Sequence, residues 1–197
     1  MKNFIIALLF MLGSTQCMSQ QGVYEDSLML FQQKYVASHE VVKDNLKSNI
    51  HFFKIKAKYH ITALFEKLSD TTGFIMKTSG TKTKIYLRYG KLNFTIDGRK
   101  CELTVYQSEQ LMLTPEYKNY LFIPFTDLTS GEKSYGGGRY LDLLIEDIKK
   151  DSLTIDFNKA YNPYCAYTSG YNCPIPPAEN DLPVAIEAGE MNFEKAH

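Results

Sequence analysis

Side chains able to hold or transform a ligand gather in two stretches of the 197-residue chain, 126–140 (TDLTSGEKSYGGGRY) and 156–181 (DFNKAYNPYCAYTSGYNCPIPPAEND). In the first, Gly136, Gly137 and Gly138 precede Arg139. Successive backbone N–H groups there can converge on an anion while the guanidinium grips a carboxylate or phosphate through two bonds. Together the stretches predict a site for a small polar or anionic ligand. Arg139 is its counter-charge, Tyr140 and Tyr164 its walls, and Asn158 and Asn162 its orienting amides. The same residues allow a hydrolase in which Asp127 or Asp156 is the general base and Arg139 stabilises an oxyanion. They also allow a structural or partner-docking envelope protein. In that reading the glycines make a tight turn, Arg139 is braced by Asp127, Asp142 or Asp156, and the asparagines tie down their own loops.

Other chemistries fit less well. Nucleotide-binding glycine loops need a helix after the glycines, whereas RYLDLLIED alternates like a strand. Cys165 and Cys173 lie eight apart in a proline-bracketed loop. A disulfide there would be worth roughly 2–3 kcal/mol on the chain-entropy estimate, and it is favoured over zinc or two free thiols because no histidine or second cysteine pair is near. Cys101 sits at an inward strand position as a small hydrophobe. Asp127 to Glu132 lacks the further acids of a calcium loop, and the four histidines show no metal spacing. No metal or cofactor is expected. Six of the 14 tyrosines fall between residues 135 and 171, a modest enrichment that fits either a ligand wall or a covered loop.

The 22 basic and 22 acidic side chains give no net charge, which argues against a nucleic-acid partner. Met1-Lys2 followed by the apolar run Phe4 to Leu12 reads as an export signal, with cleavage after Ser19 and a mature chain from Gln20. The run is too short to span a bilayer. The expected location is therefore periplasmic or secreted, where a disulfide persists. A lipid anchor on Cys17 is the lesser alternative, since Gln16 stands where lipoproteins want a small residue.

The elements that must position these residues follow from periodicity. Tyr24, Leu28, Phe31, Tyr35, Val42 and Leu46 fall on one stripe and predict an amphipathic helix over 24–47. From Phe53 to Phe65 the period is two, predicting a long strand bent near Ala57-Lys58. Strands are further expected at 74–77, 82–88, 91–96, 101–105, 120–125, 139–145, 153–157 and 184–188, with a turn at Tyr89-Gly90 and a two-residue hairpin at Asp97-Gly98. The fold class is mainly β: an antiparallel β-sandwich or barrel of about ten strands with one N-terminal helix. After the signal at 1–19, residues 20–197 form a single domain, its sheet and site loops spanning 50–190.

The strings SYGGGRYLDL (134–143), DFNKAYNPYCAY (156–167) and CPIPPAEN (173–180), with FIPFTDLTSG (122–131) ahead of them, closely resemble the bacterial domain of unknown function 1684. KTSGTKTKIYLRYGKLNFTIDG (77–98) and TVYQSE (104–109) are similar to that family's strand region. The resemblance spans roughly residues 50 to 190 and implies an exported, β-rich module with no assigned activity. The chain departs from longer members, which carry an extended N-terminal region with a GWL-type motif.

Overall fold

A computed structural model describes residues 21–70 and 72–194. The export segment and Cys17 lie outside them. The chain divides into two compact units, Met1–Ser38 and His39–His197. In the first, residues 21–38 are helical as α1. The stripe that predicted helix to residue 47 continues past the end of α1. At that point the His39 Nδ1 accepts the Val42 amide, a local bond that competes with helix continuation, and Asp44–Asn49 is a separate 3₁₀ turn. Among the described residues no helix is long and apolar enough to cross a membrane.

The second unit is a curled half-barrel of antiparallel strands: β1 (His60–Lys67), β2 (Phe74–Met76), β3 (Lys84–Ile96), β4 (Arg99–Ser108), β5 (Tyr120–Phe125), β6 (Arg139–Leu144) and β7 (Ser152–Asp156). Their order across the seven-stranded sheet is β6-β5-β4-β3-β1-β7, with β2 added to β3. A four-residue helix, α2 (Glu109–Met112), follows β4 and is capped by the Ser108 hydroxyl.

The expectation of about ten strands in a sandwich is corrected at three places. First, Tyr89-Gly90 does not turn the chain. It is a bulge inside β3, which pairs with β2 before it and β1 after it while β4 runs along both halves. Glycine is required there because a Cβ would stand 2.4 Å from the Phe65 ring and 2.8 Å from the Glu66 carbonyl. Second, residues 53–56 join no strand, and Ala57–Tyr59 is a 3₁₀ turn at the predicted bend. Third, residues 184–188 form no strand, because side chains take the place of a ladder, as described below. The β3–β4 hairpin turns at Asp97 and Gly98 with φ of 48° and 78°, the positive pair that a two-residue turn needs.

Alternation along the strands gives the sheet two covered faces. The inner face carries Leu92, Phe94, Leu103, Val105, Leu121, Ile123 and Leu141. It is closed by Phe157 and by an extended C-terminal segment that buries Leu182, Val184, Ile186 and Ala188, in place of a second sheet. The outer face carries a smaller aromatic cluster of Tyr86, Tyr106, Phe122 and Tyr140 with Met76. A strand such as YLFIPF, apolar on both sides, is what two covered faces require.

Candidate functional site

Strand β6 divides the chemistry. Its odd positions point to the inner core and its even positions to the outer face. Arg139, on the inside, is wholly buried. Its Nη2 donates to Asp127 Oδ2 at 2.7 Å and to the Ile186 carbonyl at 2.8 Å, while Nη1 donates to the carbonyls of Ala188 and Glu190. The guanidinium lies 5.4 Å from the Phe125 ring and 5.7 Å from the Phe53 ring, a cation–π environment that excludes water. Asp127 Oδ1 in turn accepts the amides of Thr129 and Ile186. The pair therefore replaces a strand ladder for residues 186–190, and Arg139 is the brace, with Asp127 as its partner.

This placement corrects the anion site. The glycine loop does meet the cystine-bearing segment, but in direct contact. Gly138 has a φ of +87°, and a Cβ there would stand 2.5 Å from Pro176 and 2.7 Å from the Phe125 carbonyl. Its own amide bonds the Tyr135 carbonyl. Gly136 and Gly137 are exposed turn residues with no accessible cation behind them, because Arg139 faces the core. The hydrolase built on Arg139 loses its oxyanion donor for the same reason. Asp127 is locked to Arg139, and Asp156 Oδ1 caps the Asn158 amide and accepts from its side chain.

The asparagines act as backbone substitutes. Asn158 takes the Lys56 amide on Oδ1 and donates to the Lys56 carbonyl. Asn162 donates to the Met191 carbonyl, and its amide reaches Glu190. Asn180 accepts the Thr104 amide at 2.7 Å and donates to the carbonyls of Thr104 and Pro124, stitching β4 to β5. Tyr164 is exposed, donates to Glu40 at 3.2 Å, stands edge-on to Tyr171 and is no member of the cluster around Tyr140. Cys165 and Cys173 form a disulfide with Cα atoms 6.3 Å apart. Cys101 is buried and free. Among the described residues no group of three or more His, Cys, Asp or Glu is placed to hold a metal ion.

A different arrangement stands on the outside of β6. Tyr140 and Asp142 share that face, and the chain at Tyr161 adds a bridge to the strand at Tyr140. The Tyr161 hydroxyl donates to Asp142 Oδ2 at 2.7 Å, and the Tyr120 hydroxyl lies within hydrogen-bonding reach of both. The Tyr140 ring meets Tyr161 at 5.8 Å and 89° and Phe122 at 4.8 Å and 72°, while Tyr86 stacks on Phe122 at 5.6 Å. The Tyr140 hydroxyl is tied to the Pro174 carbonyl of the disulfide loop. No described lysine, arginine or histidine forms an ion pair with Asp142.

The tyrosines crowd the carboxylate electrostatically. Asp142 is exposed as a residue, yet burial raises its carboxyl pKa, with the Tyr120 and Tyr161 hydroxyls pulling the other way. Burial and then the Asp142 charge push Tyr86 up to about 12 and raise Tyr120 and Tyr161 as well. Tyr120 and Tyr161 stay neutral and act as donors toward the one carboxylate, while Tyr86 feels only its charge.

Of the expected site residues, the outer cluster keeps only Tyr140. Asp142 entered the sequence reading merely as a brace for Arg139. The overlooked signal was the face count: Tyr120 and Phe122 on β5, and Tyr140 and Asp142 on β6, alternate onto one side that would otherwise be polar.

The sequence family described as "Protein of unknown function (DUF1684)" matches residues 48–191. The chain belongs to the DUF1684 family. All seven strands of this DUF1684 protein, with Arg139 and Asp142, fall inside the matched region. It is also similar to an uncharacterized protein of Haloarcula marismortui solved by solution NMR, at 28% identity and a TM-score of 0.66, over 88% of this chain and 96% of that one. No curated protein matches the chain.

Proposed function

We propose that this DUF1684 protein is a binding module for a small polar ligand, held on the outer face of the half-barrel at Asp142. The observation that carries this reading is the state of that carboxylate: accessible, without an ion pair among the described residues, opposite Phe122 across the strand pair and oriented by the Tyr161 hydroxyl. A ligand offering hydrogen-bond donors satisfies the carboxylate while its apolar parts pack on the partly exposed Tyr120 and Tyr161 rings, which is the division of labour in small-molecule sites. The Gly136–Arg139 loop and the asparagine loops serve as the scaffold beneath it.

The protein is further proposed to act after export. The signal-like residues 1–19 and the Cys165–Cys173 disulfide support that location.

Thermal shift against a panel of neutral sugars, amino acids and amines tests the binding reading. At least one class should raise the Tm of the wild type, and the same compound should fail with Asp142→Asn. A panel with no effect, or an equal shift in both proteins, would overturn it.

A further inference from the structure

We infer that the Cys165–Cys173 disulfide is a thiol–disulfide exchange centre, with Cys165 as the sulfur that an external thiol engages and Cys173 as the sulfur that leaves and later returns. This goes beyond the binding reading above and does not depend on Asp142.

Three observations separate an exchangeable bond from a structural staple. The first is access. Cys165 is half-buried beside the exposed Tyr164, whereas Cys173 is buried and its carbonyl is paired with the Ser79 amide. An incoming thiol therefore meets Cys165 first. The second is what each sulfur keeps when the bond opens. The Cys165 amide donates to Cys173 Sγ at 3.3 Å. The Ser79 hydroxyl lies 2.9 Å from Cys165 Sγ and 3.1 Å from the Tyr171 carbonyl, and it turns to the sulfur once that atom is charged. Each thiolate thus has a donor in place, which makes each sulfur a better leaving group. The third is how little of the fold hangs on the bond. Its two cysteines are eight residues apart, and the segment that carries Cys173 is held without it. The Ile175 amide donates to the Lys77 carbonyl, and Asn172 Oδ1 accepts the Lys82 amide. A bond that adds little to the fold is protected little by it in return, so a thiol opens it without unfolding the sheet.

In the forward step a thiolate bonds to Cys165 Sγ as the Cys165–Cys173 bond breaks, and Cys173 Sγ departs with the electron pair. A second thiolate attacks the external sulfur of this mixed disulfide, and Cys165 Sγ departs toward the Ser79 hydroxyl. Two external thiols become one disulfide, and their two electrons and two protons end on Cys165 and Cys173.

Equilibration of the full chain with graded ratios of reduced to oxidised glutathione tests the inference, with acid quench and peptide mass mapping to read each cysteine. A pulse of iodoacetamide before the quench uses Cys101, free and buried, as a reporter of unfolding in the same molecule. The bond should open and close reversibly with the glutathione ratio while Cys101 stays unalkylated, and the trapped glutathione adduct should sit on Cys165. In the reduced protein Cys165 should alkylate roughly tenfold faster than Cys173. Ser79→Ala should move the pH midpoint of Cys165 alkylation upward, a change that a merely structural serine would not produce.

Alkylation of Cys101 in step with opening of the bond would mean that the disulfide yields only when the fold does, and would overturn the inference. A bond that no glutathione ratio opens, or an adduct on Cys173, would overturn it as well. None of these outcomes bears on Asp142, whose test is the ligand panel above.

Discussion

Arg139 and Asp142 stand three positions apart on β6 and meet opposite fates. The arginine turns inward, where Asp127 and the carbonyls of Ile186, Ala188 and Glu190 take up its Nη donors and no solvent reaches it. The aspartate turns outward among tyrosines, keeps an accessible carboxylate and forms no described ion pair. The more conspicuous residue, a lone arginine after three glycines, is structural. The less conspicuous one is left available for a partner. A charged side chain is free for function only when the fold has not already satisfied it, and strand parity decides which side of that line a residue falls on.

The sharpest way to break the contrast is to remove the brace. Arg139→Met strands the Asp127 carboxylate in the core and should cost about 3–5 kcal/mol in denaturant unfolding. Adding Asp127→Asn should recover part of that loss, since Asn can still accept from the Thr129 or Ile186 amide. If Arg139→Met unfolds like the parent, Arg139 is no brace.

Asn180→Ala should follow at about 2–3 kcal/mol, because the Thr104 amide and the Thr104 and Pro124 carbonyls lose their partner inside the fold. Replacing both Cys165 and Cys173 by Ser should cost about 2 kcal/mol. The loss stays at the low end because the loop remains pinned by the Ser79–Cys173 and Lys77–Ile175 backbone bonds. A far larger effect of the cysteine change would mean that the loop organises the outer cluster rather than lying on it.

Asp142→Asn should be the mildest change, stabilising by less than about 1 kcal/mol at neutral pH. The sign follows from linkage. The folded carboxyl binds its proton more tightly than the unfolded one, so its contribution opposes folding once it ionises. The gap between Asp142→Asn and wild type should therefore vanish at a pH below the unfolded carboxyl value, open as pH rises through that value and reach its full size above the folded one. A gap that widens toward acid would contradict a desolvated carboxyl at Asp142.

How much of this could be read from residues depended on whether neighbours or distant contacts decide each element. The Asp97-Gly98 hairpin, the alternation of β4 and the Cys165–Cys173 bridge are local, and the chain displays them openly. Gly90 looked like a turn because glycine marks turns and bulges alike, and only the Phe65 ring across the sheet distinguishes them. Residues 184–188 alternate like a strand because they bury one side, but Asp127 and Arg139, remote in sequence, supply their hydrogen bonds. The anion site failed on direction. Spacing shows that Arg139 follows glycines, and it cannot show that residues 139 and 140 point to opposite faces of a sheet covered on both.

The most direct test of the central claim is the pKa of Asp142, followed by the chemical shift of its side-chain carboxyl carbon across an acid titration of the folded protein. The account predicts a midpoint above the ordinary 3.8 of an aspartate, moving higher still in Tyr161→Phe as the orienting hydroxyl is lost. A midpoint at or below 3.8 would place the carboxylate in open water or beside a positive partner, and Asp142 could not then be the anchor of a binding site on the outer face of β6.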